Sequence, residues 1–356
     1  MAKNKKQHYV PIFFLRLFSI AQKGLHIKIY QKATGKIIQR GGLKNQAQEK
    51  YFYGSNLNME KWFGEVENLC GHIIKDVAKT EKLPKKNSKK YQLLVLFMLL
   101  QAFRTKAQAD ELNQLTDTFI KTIMKYDKTF ENYDFDSFKI GYDDAPVKNV
   151  GMLLESYPMM ADMEVKIISN STDIPFITSD NPTFKYNQFL KGREFEFGRT
   201  GMGCKGLQIF FPISPKNIIL MYDPKVYKVG NRRQFFGIEA SVKDVNQINL
   251  LMFLNANETI FSNEKATDYF FEKLSQKALK YKDLKKIEVN EYPESIMDES
   301  EGKQSILIHQ KKNYIDTNLH LSFVKPTPHA KYYELNGTAA ELRDLARFFR
   351  DKRRNS

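Results

Sequence analysis

The chain has 356 residues, 42% of them hydrophobic, 13% aromatic and 27% charged, and a formal net charge of +15. That apolar content argues against disorder and suffices for one large domain or two ordinary ones, while a cation excess of this size suits a polyanionic partner. The longest apolar run, Leu93 to Leu100, falls well short of the roughly 20 residues a membrane span needs, and the two cysteines, Cys70 and Cys204, lie in no metal or disulfide pattern and read as small core residues.

Near the N-terminus, Gln7-His8-Tyr9-Val10-Pro11 runs into Ile12 to Ser19, read as a short buried helix with proline at its start. The lysines ahead of it are followed by no small-residue cleavage site, and Arg16 interrupts the apolar part. A signal peptide is therefore not expected, and the chain reads as cytoplasmic. Alternation over Leu25 to Tyr30, a turn at Thr34-Gly35 and the segment Lys36 to Arg40 predict a β-hairpin. Lys44 to Gly54 is a loop with aromatic anchors.

With Asn58 as N-cap, Trp62, Val66, Leu69 and Ile73 recur at helical spacing and predict an amphipathic helix over about 59–80, with Glu60 and Glu67 seven apart on another face. Ser88 caps a second helix, apolar nearly all round from Tyr91 to Phe103 and hence buried. Gln101 and Arg104 are the first polar groups to emerge from it. A polar break over Lys106–Asp110 leads to a further helix through Leu115 and Ile123, then a linking loop over residues 130–150.

Strands are expected at Val165–Ile168, Phe176–Thr178, Gln208–Ile213 and Ile218–Tyr222, the last two joined by a Ser214-Pro215-Lys216-Asn217 turn. Ser241 opens a helix through Leu254, and residues 268–282 form another. Asn290–Gln304 reads as an acidic loop. Strands near Ile306–His309 and Leu319–Val324 precede a C-terminal helix capped at Thr338 and ending in a basic run to Arg354. Helices and hairpins come in blocks without βαβ alternation, so the fold class is α+β, with buried helices packed on mixed or antiparallel hairpin sheets.

No phosphate-binding GxxxxGK[ST] loop, GxSxG elbow or HExxH helix occurs, and Gly201-Met202-Gly203 followed by Gly206 lacks the strand–helix setting of a dinucleotide fingerprint. Kinase, Rossmann dehydrogenase and zinc-protease chemistries fall away. The ordered set Gln7-His8-Tyr9-Val10-Pro11, Gln101-Ala102-Phe103-Arg104, Phe176 to Pro182 and Phe211-Pro212-Ile213-Ser214-Pro215 resembles the bacterial domain-of-unknown-function family 4238, as far as the helix carrying Asn249. The resemblance implies one homologous unit over 1–265, leaving 266–356 as a helix-strand-helix extension with a basic C-terminus packed on it.

His8, held beside a proline and an apolar helix, is a candidate general acid or base or else a histidine that locks the terminus. Gln7, Gln101 and Asn45 are candidate substrate-binding groups, with strand capping and loop packing as their structural alternatives. Arg104 at the edge of a buried helix needs an anion, either a carboxylate such as Glu67 or Asp180, or a phosphate. Asp180-Asn181 after an apolar strand offers catalytic or metal-binding oxygens, with Glu67 and Glu60 completing a set that admits a divalent ion, Mg or Mn; the competing reading is an Asx turn before Pro182.

Together with the charge, His8, Arg104, Asp180 and Asn181 make the expected function nucleic-acid processing. The expected enzyme is a nuclease acting on RNA or DNA, in the defence or toxin setting that the family's bacterial distribution suggests. The alternative is a non-enzymatic module that binds nucleic acid or protein, or self-associates, with these residues as a structural network.

Overall fold

The computed structural model describes residues 6–22, 24–55, 57–190, 198–231, 237–281, 287–293, 306–312, 315–331 and 341–354. Strand β1 (Lys6–His8) leads through Pro11, whose carbonyl accepts from Phe14 and Leu15, into the single-turn helix α1 (Ile12–Leu15) and a 3-10 turn over Arg16–Phe18. The expected hairpin is β2 (His26–Gln31) and β3 (Ile37–Gly42), with Gly35 at a φ of 68° in the turn. Strand β4 (Gln48–Lys50) returns antiparallel to β1, pairing Gln7 with Glu49 and His8 with Gln48, and so orders the terminus.

Three helices follow: α2 (Asn58–Thr80), α3 (Lys89–Phe103) and α4 (Lys106–Met124). Ser88 caps α3 by accepting from the Tyr91 amide. The cap of α2 falls on Leu57, at a φ of 58°, rather than on Asn58. The polar stretch Lys106–Asp110 is not a break but the first turn of α4, because lysine, glutamine and alanine are good helix formers and polarity alone stops no helix. Part of the expected 130–150 loop is α5 (Ala145–Ser156); Pro146 sits in its first turn, where a missing N–H costs nothing.

The strands β5 (Glu164–Ser169), β6 (Thr178–Ser179), β7 (Phe184–Tyr186), β8 (Gln208–Ser214) and β9 (Asn217–Tyr222) come next. They are followed by β10 (Tyr227–Val229), β11 (Ile238–Glu239), α6 (Val242–Asn255) and β12 (Thr259–Ser262). A five-stranded sheet of order β11-β5-β9-β8-β7 is antiparallel except for the β11–β5 pair, and an antiparallel four-stranded sheet has the order β3-β2-β12-β6. The architecture is α+β.

Strands β8 and β9 are buried throughout because the sheet is covered on both faces. Ile209, Phe211 and Met221 join a cluster with α2, α3 and Phe14, whose ring stacks on Phe211 at 5.1 Å, while Phe210, Ile218 and Leu220 join a second cluster with α6. Both cysteines are buried and free.

The C-terminal part comprises α7 (Asp268–Ala278), β13 (Ile287–Pro293), β14 (Ile306–Lys312), β15 (Val324–Pro326), α8 (Pro328–Lys331) and α9 (Asp344–Arg354). Phe271, Leu274, Leu321 and Phe323 enter the second apolar cluster, and buried Arg343 donates to Asp162 and to the carbonyls of Met159, Met202 and Cys204. Two expectations shift here. Asn290–Pro293 is strand rather than loop because it pairs with Ile306–His309, and the strand near 319–324 begins only at Val324. Thr338 lies outside the described residues. No described helix is long and apolar enough to cross a membrane.

Candidate functional site

Strand alternation sends Gln7 and His8 to different tasks. The Gln7 amide is fully buried, its nitrogen donating to the Gly54 carbonyl (3.1 Å) and its oxygen accepting from the Tyr53 amide (2.6 Å). Both ends of this candidate substrate-binding group therefore brace the Tyr51–Gly54 turn. His8 is half-buried, with Nε2 3.2 Å from the Lys44 carbonyl oxygen. A carbonyl only accepts, so Nε2 carries the hydrogen and Nδ1 is the ring position left to titrate. Burial depresses the His8 pKa below the ordinary 6.5, helped by Arg104 and Lys6 and opposed by the Lys44 carbonyl and Glu67.

His8, Ile12 and Phe13 form one wall of a groove of about 330 Å³, and α2 forms the other with Glu60, Gly64, Glu67, Gly71, His72 and Lys75. Positions 60, 64, 67, 71 and 75 recur every three or four residues and so share a helix face. A side chain on Gly64 would meet nothing within 4 Å, so the floor is open there.

Arg104 fixes this wall from behind. Following the last turn of α3, it is fully buried, with Nε donating to the Tyr9 carbonyl (3.0 Å), Nη2 to Glu67 Oε1 (2.7 Å), and its guanidinium carbon 4.5 Å from the Phe63 ring centroid. Burial works against the Arg104 charge, but Tyr53, Glu67 and Glu60 more than offset it, leaving its pKa above the ordinary value. Glu67 keeps about a quarter of its side chain exposed to the groove. Burial, and then repulsion from Glu67, raise the Glu60 carboxyl above its ordinary 4.5 against the pull of Arg104.

His8, Glu60, Glu67 and, through Glu67, Arg104 are thus brought together. Asp180 and Asn181 are not. Asp180 Oδ1 accepts from the Asn257 amide (2.9 Å), Oδ2 accepts from Glu258 (2.7 Å) and Thr259 (3.0 Å), and the carboxyl is nearly sealed from water. Its place is to close the turn from α6 into β12. Asn181 accepts from Thr105 Oγ1 (2.9 Å) and exchanges side-chain to backbone bonds with Asn255; it lines a different cavity of about 360 Å³, with Gln108, Glu111 and Asn255.

The set Asp180, Glu67 and Glu60 therefore does not assemble for a Mg or Mn ion, because the Asp180 oxygens are taken up by backbone amides 77 or more residues away. Among the described residues no group of three His, Cys, Asp or Glu side chains is placed to hold a metal. Gln101 is fully buried with neither amide atom paired, and Asn45 is exposed on the 3-10 turn beside Lys44. His72 and Lys75 also line the groove; Lys75, four residues beyond Gly71 and eight beyond Glu67, continues the repeat that places it on this face, whereas His72 does not follow that repeat.

Replacing Asp180 by alanine is expected to cost about 3 kcal/mol, since three enclosed amides lose a charged acceptor at once. Urea unfolding should show the loss, while any cleavage activity per folded molecule stays unchanged.

No curated protein and no solved structure matches the chain. The segments that build the groove and brace its wall, from Gln7 through Glu67 to Arg104, fall within a match to proteins of unknown function over residues 6–266, and the chain belongs to that family, domain-of-unknown-function family 4238.

Proposed function

We propose that the chain is a nucleic-acid-cleaving enzyme whose reaction runs on the acid–base groups of the groove between the N-terminal segment and α2. The observation that carries this reading is the half-buried imidazole of His8 and the carboxyls of Glu60 and Glu67 lining the same groove, with Glu67 locked by a buried arginine. Paired titratable groups whose surroundings push them toward different protonation states suit the division of labour between base and acid.

His8 is the base through Nδ1, and ionised Glu67 favours the imidazolium that forms. Glu60 is the acid. Arg104 is a positioning residue: it is too deeply buried to touch a phosphate and acts by holding Glu67. Exposed Lys75 lies further along α2, where a cation suits phosphates, and the net charge of +15 favours a polyanion.

End-labelled RNA and DNA oligonucleotides incubated with purified protein test the proposal. Cleavage of at least one is expected, falling about 100-fold in Glu67→Gln while that variant remains folded by thermal melting. An uncut pair of substrates, or a Glu67→Gln protein as active as wild type, would remove the enzyme. Growth arrest on expressing wild type but not Glu67→Gln would place the activity in a toxin or defence setting.

A binding module is favoured by one observation, that Arg104, Asp180 and Asn181 are satisfied within the protein. It predicts binding without cleavage, weakening steeply with salt if the partner is nucleic acid.

A further inference from the structure

We infer that the substrate of this groove is RNA, cut by attack of a ribose 2′-hydroxyl on the adjacent phosphorus, and that DNA is not a substrate. The inference rests on the acid–base reading above and names the substrate class it implies.

The groove supplies proton-transfer groups on facing walls, His8 on the N-terminal segment and Glu60 and Glu67 on α2. Such groups suffice when the nucleophile is already part of the substrate, because an intramolecular hydroxyl beside its phosphorus needs only to lose its proton and hold its alignment. DNA has no such hydroxyl and would leave the same groups with a separate water to capture and orient.

The orientation of the imidazole fits this role. With Nε2 tied to the Lys44 carbonyl, the hydroxyl proton can go only to Nδ1, and Glu67, fixed 2.7 Å from Arg104, carries the charge that offsets the new imidazolium. The 2′-oxygen to phosphorus bond forms and the phosphorus to 5′-oxygen bond breaks. The 2′ proton passes to His8 and a proton from Glu60 passes to the departing 5′-oxygen. Atoms and charge balance with no co-reactant, leaving a 2′,3′-cyclic phosphate and a 5′-hydroxyl, and solvent resets the two residues.

Two carboxyls beside a phosphate would repel it if both were ionised. The arrangement eases this, since burial and the Glu67 charge shift Glu60 toward the neutral acid, and an incoming phosphate pushes it further the same way. At about 1.5 Å per residue, the α2 wall from Glu60 to Lys75 runs about 22 Å, so the groove offers a single strand a length of helix ending at a lysine. Its volume of about 330 Å³ lies at the small end of the roughly 300–1,000 Å³ typical of ligand pockets, which suits an unpaired nucleotide in contact with the reacting groups.

The test uses three oligonucleotides of one sequence: RNA, RNA with 2′-O-methyl at every ribose, and DNA. They are incubated with the full chain and with His8→Ala, and product ends are read by mass spectrometry. Expected is cleavage of unmodified RNA alone, with 2′,3′-cyclic phosphate and 5′-hydroxyl ends, falling at least 100-fold in His8→Ala, which also excludes a contaminating ribonuclease. Cleavage of DNA or of the 2′-O-methyl strand, or products bearing 5′-phosphates, would overturn the inference while leaving a nucleic-acid-cleaving enzyme in place. If none of the three is cut, the functional reading fails, and the inference with it.

Discussion

Replacing Arg104 with alanine is expected to lower the free energy of unfolding by about 3–5 kcal/mol, the usual cost of removing one partner from a buried ion pair. Three groups lose their partner together: the Glu67 carboxylate, the Tyr9 carbonyl and the face of the Phe63 ring. Water does not easily replace the guanidinium at the Tyr9 carbonyl or the Phe63 face, because Arg104 and Phe63 are buried. Urea denaturation measures the loss, and a change below about 1 kcal/mol would mean that the enclosed guanidinium contributes little. Arg104→Met combined with Glu67→Gln is the informative companion, since removing both charges leaves no uncompensated ion and should recover much of the stability. Cleavage should not return with it, because the ionised Glu67 is gone. That separation of stability from activity distinguishes a positioning residue from a merely structural one.

Replacing His8 with alanine is expected to reduce kcat/KM by about 10²–10⁴-fold, the ordinary contribution of a general base, with a smaller effect on folding, because what its side chain gives up is a hydrogen bond to the Lys44 carbonyl. The pH profile carries a second signature. The reaction needs His8 neutral, so the rate falls as pH drops through the histidine value. It also needs Glu60 protonated, so the rate falls again as pH rises through the glutamic acid value.

Around His8 stand Glu67, Arg104, Lys6 and the Lys44 carbonyl; around Glu60 stand Glu67 and Arg104, with Tyr53 close by. Their net effect with burial is to lower the first group from 6.5 and raise the second from 4.5. The two limbs move toward each other, and a bell with its maximum between those two values is expected for kcat/KM. Glu60→Gln should abolish the alkaline limb and leave the acid one. A rate that climbs steadily to pH 8 would exclude Glu60 as the acid.

Much of the scaffold of this groove is legible in the sequence, because it follows from local rules. Ser88 and Ser241 each stand one residue before a helix and cap it, Ser241 with a full capping box to Asp244. The hairpin at 26–42 is written in alternation with Gly35 at its turn. The continuous apolar runs in β8 and β9 report a sheet covered on both faces.

What is not legible is how polar side chains pair across long stretches of chain. Asp180-Asn181-Pro182 has the composition of an active-site carboxylate and of a turn alike, and only the approach of the Asn257–Thr259 amides decides between them. Gln7 has the same ambiguity, resolved by the backbone of a turn 46 residues on. Glu60 and Glu67 are visible as a spaced pair, but the chain must fold before His8 faces them and before Gly64 is seen as open floor rather than a weak point in a helix.

The most direct measurement is RNA cleavage by folded His8→Ala protein, with and without added imidazole. An imidazole at Nδ1 that takes the substrate proton predicts a large loss in the variant and a concentration-dependent, saturating recovery when free imidazole fills the space the His8 ring leaves in the groove. His8→Ala protein that cleaves at the wild-type rate with no imidazole present would contradict it.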